Sequence, residues 1–184
     1  MNLINNYIEN VIKYDYITKF NISNTSSLPK LLRIVLSFDC NIFSISHLIS
    51  CAFAMELITN QRSKLTTKTL PNNINLKLKS GVITGCSITL RKHNMLKFLA
   101  NFILVKLPQG KQNKFLIVNN SKQKTVSFLF KDLYLFNFIE DNYSFFKSLP
   151  SLKVLFITNT LSIESFIFIL ASLKVPVIKE MVKL

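Results

Sequence analysis

The sequence predicts an α+β fold: a mostly antiparallel sheet with helices packed on one side and a polar outer surface left open. Three observations lead there. Stretches with a two-residue hydrophobic period alternate with stretches of helical period, in the order helix, strand, helix, strands, helix, strands, helix. Hydrophobic residues make up 49% of the 184 positions and charged residues 17%, which is enough apolar material for a well-filled core. No linker-like stretch or internal repeat divides the chain, so residues 1–184 read as a single domain.

Residues 3–20 read as an amphipathic helix, with Ile4, Ile8, Val11 and Ile12 at helical spacing. A polar loop follows at Asn21–Ser27. Leu31–Phe38 alternates as a half-buried strand, with Leu32, Ile34, Leu36 and Phe38 pointing one way and Arg33, Val35 and Ser37 the other. Residues 45–58 return to helical period, with Ile45, Leu48, Ile49, Ala52 and Phe53 expected on the buried side.

Residues 74–91 read as a hairpin. Ile74, Leu76 and Leu78 alternate with Asn75, Lys77 and Lys79, a short loop runs through Gly81 and Gly85, and Cys86, Ile88 and Leu90 alternate with Ser87, Thr89 and Arg91. The expected result is an aliphatic inner face and a basic, hydroxylated outer face. A polar outer face is ordinary for an antiparallel sheet. One that carries Lys and Arg and no carboxylate points to an anionic partner.

A helix is expected from an N-cap at Asn94 to about Lys106, stopped by Pro108. Gln109–Lys114 reads as a basic loop, and Phe115–Val118, Thr125–Phe130, Leu133–Phe138 and Leu152–Thr158 as strands. Residues 162–174 close the order as a helix, with Ser162 at the cap, Glu164 in the first turn where it favours the helix dipole, and Pro176 at the exit. The Phe-rich stretches at 128–146 and 166–168 read as core.

Charge bears on function. Lys and Arg total 23 against 9 Asp and Glu, a formal net charge of +14, which an isolated globule would feel as self-repulsion. A polyanion relieves it, with nucleic acid the leading partner and an anionic membrane surface the alternative, as for a peripheral membrane-associated basic protein. Only Arg33, Arg62 and Arg91 are Arg, while Lys, Asn, Ile and Phe are abundant and share A/T-rich codons. This is the signature of a small A/T-rich genome such as an organelle's. The opening helix carries Glu9 and Asp15, unlike an acid-poor, Arg-rich transit peptide, so synthesis inside the organelle is expected.

Several classes are excluded. Met95–Leu107 and Leu161–Ile178 are apolar but shorter than the roughly 20 residues that span a bilayer, and Lys97, Lys106, Glu164 and Lys174 interrupt them, so no membrane span is expected. Cys40, Cys51 and Cys86 form no CxxC pair and are expected as separate buried thiols, with no metal site and no cofactor. His47 and His93 show no carboxylate or Cys at ligand spacing. Glu140–Asp141 is an adjacent pair in a polar turn, and no P-loop, GxSxG or HExxH appears, so no catalytic residue is expected.

The stretches NQRSKLTTKT (Asn60–Thr69) and KLKSGVITGCSITLRKHNMLKF (Lys77–Phe98) resemble the 5S-rRNA-binding large-subunit ribosomal protein family, number five in bacterial naming. Gln61, Thr67, Lys68, Gly81, Gly85, Cys86, Thr89, Leu90, Arg91 and Met95 carry the resemblance. The opening helix, Leu28–Ser37 and Leu152–Val177 agree with it in order. Ser37 stands where the family usually has Asn, Asp39 and Lys92 where it has Gly, and Ile83 where it has Pro.

The resemblance implies a non-enzymatic constituent of a mitochondrial, rather than plastid, large ribosomal subunit, at the ribosome in the matrix. Implied partners are large-subunit rRNA, 5S rRNA where present, peptidyl-site tRNA and neighbouring ribosomal proteins, including a small-subunit protein across the interface. By position, Arg33, Ser37, Gln61, Thr89 and Arg91 are the implied rRNA contacts, joined by Lys68 and Lys77; Lys79, Ser80, Gly81, Val82 and Ile83 form the implied tRNA-facing loop. Lys and Arg attract phosphate, Gln, Thr and Ser can bond ribose hydroxyls, and glycine lets backbone come close.

Overall fold

The computed structural model describes residues 2–22, 24, 28–40, 44–67, 81–106, 114–119, 124–131, 133–160, 162–173 and 181–182. The described helices are α1 (Asn2–Tyr7), α2 (Lys13–Phe20), α3 (Ile45–Thr59), α4 (Lys92–Asn101), α5 (Asn137–Asp141), α6 (Tyr143–Phe146) and α7 (Ile163–Ser172). Wider π turns join α1 to α2 (Ile8–Ile12) and extend α4 (Phe102–Lys106). The strands are β1 (Leu31–Asp39), β2 (Lys64–Thr67), β3 (Ile83–Leu90), β4 (Lys114–Asn119), β5 (Lys124–Phe130), β6 (Leu152–Thr158) and β7 (Met181–Val182).

One sheet holds all seven strands in the order β2-β3-β1-β6-β5-β4-β7. Every neighbouring pair is antiparallel except β4–β7. The register lines up three apolar rungs across four strands: Cys86–Phe38–Leu152–Phe130, Ile88–Leu36–Val154–Phe128 and Leu90–Ile34–Phe156–Val126. All twelve side chains are buried. At about 1.5–3 kcal/mol per large apolar side chain removed from water, these rungs are the main stabilising element of the fold. Phe102 sets its ring edge against Phe128, Phe130 and Phe156 at centroid distances of 5.2, 5.3 and 5.7 Å, which seats the α4 extension on that face. Met55 of α3, Leu99 of α4 and Phe166 of α7 join the same core.

Several expectations are corrected. Leu32 is exposed, because the β1–β6 register shifts between Leu31 and Arg33 and that irregularity takes Leu32 out of the alternation. In α3 the buried residues are His47, Cys51, Ala54 and Met55, while Ile45, Ile49 and Phe53 of the expected inner side are 77%, 62% and 55% exposed. The helix is apolar almost all round, so its period could not choose a face, and His47 is admitted to the interior by a bond from its ring nitrogen to the Ser148 carbonyl (2.7 Å). Val11 is exposed, whereas Tyr16 is buried against Phe20 and Phe168. Residues 133–138 are no strand; a 3₁₀ turn at Leu133–Leu135 leads into α5, which ends at the exposed Glu140–Asp141. Among the Phe-rich stretches, Phe128, Phe130, Phe146 and Phe166 are core, but Phe138 and Phe145 are exposed.

The expected strand at residues 74–78 lies outside the described residues; β3 pairs with β2 on one side and with β1 on the other. Gly85 belongs to β3 rather than to a loop. A Cβ there would run into the Phe38 carbonyl oxygen, so only glycine lets β3 lie this close to β1. Helix α4 starts at Lys92, not after Asn94, with Arg91 at the cap position and no side-chain cap bond. Lys92 has φ 48°, the left-handed region that a Cβ disfavours. Ser162 caps α7 as expected, accepting from the Ser165 backbone N–H at 3.3 Å.

Two substitutions test these constraints. Gly85→Ala is expected to cost about 1–3 kcal/mol through overpacking against β1. Lys92→Gly is expected to gain about 1 kcal/mol by relieving the left-handed backbone. Urea unfolding midpoints of the two variants against the parent chain check both.

Candidate nucleic-acid interface

The apolar rungs leave the alternate residues of the same strands on the other face. These form Lys64–Ser87–Ser37–Lys153–Leu129 and Thr89–Val35–Leu155–Ser127, with Arg33 beside Ile157 and Thr125 at the end. The face is divided. Thr125, Ser127 and Ile157 are buried, so the β5 side is covered, whereas Lys64, Thr89 and Arg91 are exposed and Arg33, Ser37, Ser87 and Lys153 half-buried. The open part runs over β2, β3, β1 and the start of β6.

Gln61, Arg62, Lys64, Ser87, Thr89 and Arg91 line a shallow polar cleft of about 540 Å³ at the β2–β3 edge. Arg91 reaches it because its backbone stays extended (φ −138°, ψ 159°) one residue beyond β3, which continues the outward alternation. Gln61 and Arg62 reach it because α3 ends abruptly. Asn60 turns left-handed (φ 53°), and its N–H returns to the Glu56 carbonyl at 2.7 Å. The Glu56 carboxylate is engaged by the Ser63 N–H (3.1 Å) and hydroxyl (3.4 Å) and is not part of the cleft lining. Among the described residues, Arg62, Lys64 and Arg91 have no carboxylate partner. Such a cleft offers three cations, two hydroxyls and an amide, a set suited to phosphate and ribose and lacking any general acid/base pair.

Of the expected rRNA contacts, Gln61, Thr89 and Arg91 converge in the cleft, and Arg33 and Ser37 lie on the same face on β1, Ser37 directly opposite Ser87. Lys68 and Lys77 lie outside the described residues, as do Lys79 and Ser80 of the expected tRNA-facing loop. Gly81 is exposed with φ 84°, Val82 is half-buried, and Ile83 is the first residue of β3. Asp39 is exposed at the end of β1 opposite Gly85 and is not among the residues that line the cleft. Sequence reasoning missed Arg62, Lys64 and Lys153 as members of this face. For Lys64 and Lys153 the signal was there, each being an outward position in an alternating strand.

His47 does have a cysteine at helical spacing, contrary to expectation: Cys51 Sγ lies 3.9 Å from His47 Nδ1, and Cys40 Sγ lies 3.4 Å from Cys51 Sγ. The three are buried and form a group able to hold a metal ion. Burial pushes all three thiols up: Cys40 partly offset by its bond with Cys51, Cys51 further raised by Cys40, and Cys86 pushed up to about 12.

No family model matches the chain. Individual proteins do. The chain is 28% identical over 185 residues to the large ribosomal subunit protein uL5m of Reclinomonas americana, covering 98% of this chain and 100% of that protein. It is 34% identical over 97 residues to the uL5 protein of Geotalea uraniireducens, covering 52% of this chain and 54% of that protein. To the uL5 protein of Campylobacter hominis it is 32% identical over 113 residues, covering 60% of this chain and 62% of that protein. The fold is one α+β sheet with a cationic open face, and the proteins it resembles are structural proteins of the ribosome. The chain is thus similar to uL5 proteins of the large ribosomal subunit, to the mitochondrial-type uL5m along nearly its whole length and to bacterial uL5 proteins over about half of it.

Cys86 makes stability pH-dependent in the reduced, metal-free chain. Its thiol holds its proton up to about 12 when folded, against an ordinary value of 9.0, so between those values the folded state binds more protons than the unfolded. Its contribution is complete below pH 9.0 and falls as pH rises toward about 12. Urea midpoints across this interval are expected to drop more steeply in the parent than in Cys86→Ala.

Proposed function

We propose that the chain is a structural constituent of the mitochondrial large ribosomal subunit that lies against rRNA through the open sheet face and the β2–β3 cleft. The single observation that carries this reading is the convergence of Gln61, Arg62, Lys64, Thr89 and Arg91 on one open surface, three of them cations without a carboxylate partner among the described residues. A surface of that kind is costly in isolation and favourable against phosphate. Similarity to uL5m along nearly the whole chain supports the assignment to the subunit and, with the A/T-biased composition, to the mitochondrion.

Within that role, 5S rRNA or a neighbouring helix of the large rRNA is the partner of Arg33, Ser37, Gln61, Lys68, Lys77, Thr89 and Arg91. The segment Lys79–Ile83 faces peptidyl-site tRNA, where the left-handed Gly81 lets backbone approach closely. Lys predominates over Arg, so the contacts attract phosphate mainly as point charges rather than as bidentate forks.

The test is sedimentation with the large subunit combined with rRNA crosslinking. Arg62→Glu with Arg91→Glu is expected to leave the fold intact and to release the chain from the subunit at moderate salt. The slope of log affinity against log salt is expected to fall by about 0.7–0.9 for each phosphate that the variant no longer neutralises. Undiminished co-sedimentation and crosslinking in that double variant would overturn the assignment of this face.

A further inference from the structure

We propose that Cys40, His47 and Cys51 form a binding site for a thiophilic metal ion, Zn²⁺, which ties the end of β1 to α3. Both sulfurs and the imidazole are buried, and their ligand atoms lie within 4.8 Å of one another. The Sγ–Sγ separation is 3.4 Å and the Cys51 Sγ to His47 Nδ1 separation 3.9 Å. Tetrahedral Zn²⁺ with bonds of about 2.3 Å to sulfur and about 2.0 Å to nitrogen has ligand–ligand edges of about 3.5–3.8 Å. The two measured edges straddle that range and the third pair lies within 4.8 Å, so side-chain rotations that draw Cys40 and His47 together close the three atoms around an ion.

The orientation of His47 carries the inference further. Its Nε2–H donates to the Ser148 carbonyl oxygen at 2.7 Å, which leaves Nδ1 unprotonated in the neutral ring and turned toward the thiols. A ligating histidine whose other nitrogen is fixed by a carbonyl is the usual outer-shell arrangement of a metal site. The one contact printed for Nδ1, to the Cys51 thiol at 3.9 Å, is at the outer limit of a hydrogen bond to sulfur.

The ligands are also held by their backbones. The Cys40 N–H bonds the Thr84 carbonyl at 2.9 Å, and the His47 N–H bonds the Ser44 hydroxyl at the start of α3. Cys51 follows one helical turn later on the same face. Three protein ligands leave one tetrahedral position. Cys86 is not among the atoms that cluster with these three.

Thiolate ligands release their protons when the metal binds, and each Cys–metal bond replaces an S–H bond, so no oxidant or reductant is involved. The experiment is a titration of the full-length, reduced, chelator-treated chain with Co²⁺ as an optical probe. A thiolate-to-metal charge-transfer band that saturates at one equivalent and is displaced by Zn²⁺ is expected. Zn²⁺ is also expected to protect Cys40 and Cys51 from alkylation, read by peptide mass spectrometry.

Cys51→Ser and His47→Gln should each weaken Co²⁺ binding at least about tenfold. Far-UV circular dichroism shows whether each variant folds, and His47→Gln decides the matter if Cys51→Ser does not. A folded parent chain with no charge-transfer band, or a band unchanged in folded His47→Gln, would overturn the site.

Discussion

The structure depends on the register of β1 with its two neighbours. Ile34, Leu36 and Phe38 each meet one apolar residue of β3 and one of β6, and β5 extends each rung by another. A shift of one residue in any of these pairings would turn the strand's apolar side chains to water and its outward polar ones into the core. The inner packing and the cationic outer face are therefore one constraint seen from two sides. Gly85 belongs to it as well, because β3 can hold this register beside Phe38 only without a Cβ at that position.

Much of this is legible in the sequence because strand alternation is a local signal. It locates β1, β4, β5 and β6 to within a residue or two, the second half of β3 from Cys86 onward, and α7 with its Ser162 cap. What escapes depends on contacts distant in the chain. The buried face of α3 is set by packing of Cys51, Ala54 and Met55 into the core and by contacts such as that of His47 with Ser148, 101 residues away, and not by its own period. Leu133–Phe138 has strand-forming residues yet winds into a 3₁₀ turn and α5, so local composition misreads it. The Cys40–His47–Cys51 group could not be inferred from cysteine spacing, since Cys40 enters from the end of a strand.

The candidate interface is legible in part. Thr89 and Arg91 follow from alternation on β3, and the family resemblance supplies Arg33, Ser37 and Gln61. Arg62 emerges only when the left-handed turn at Asn60 folds the chain back along β3, which also brings Lys64, outward in its own strand, to the same cleft. Cations from two segments thus act on the same cleft without being neighbours in sequence. Lys64 sits in β2, and Arg62 and Arg91 flank the paired strands β2 and β3, which hold the three near one another before any partner arrives.

The apolar outer stripe of α3 sets a limit on the life of the orphan chain. Ile45, Ile49 and Phe53 lie along one side of a stable helix and cannot be tucked away without unpacking Met55 and Cys51 from the other side. A copy made in excess of its assembly sites therefore offers water a greasy ridge beside a strongly cationic sheet, a combination that invites clumping and indiscriminate adhesion to polyanions. Supply matched to demand is then a physical requirement of this molecule as well as an economy of the cell.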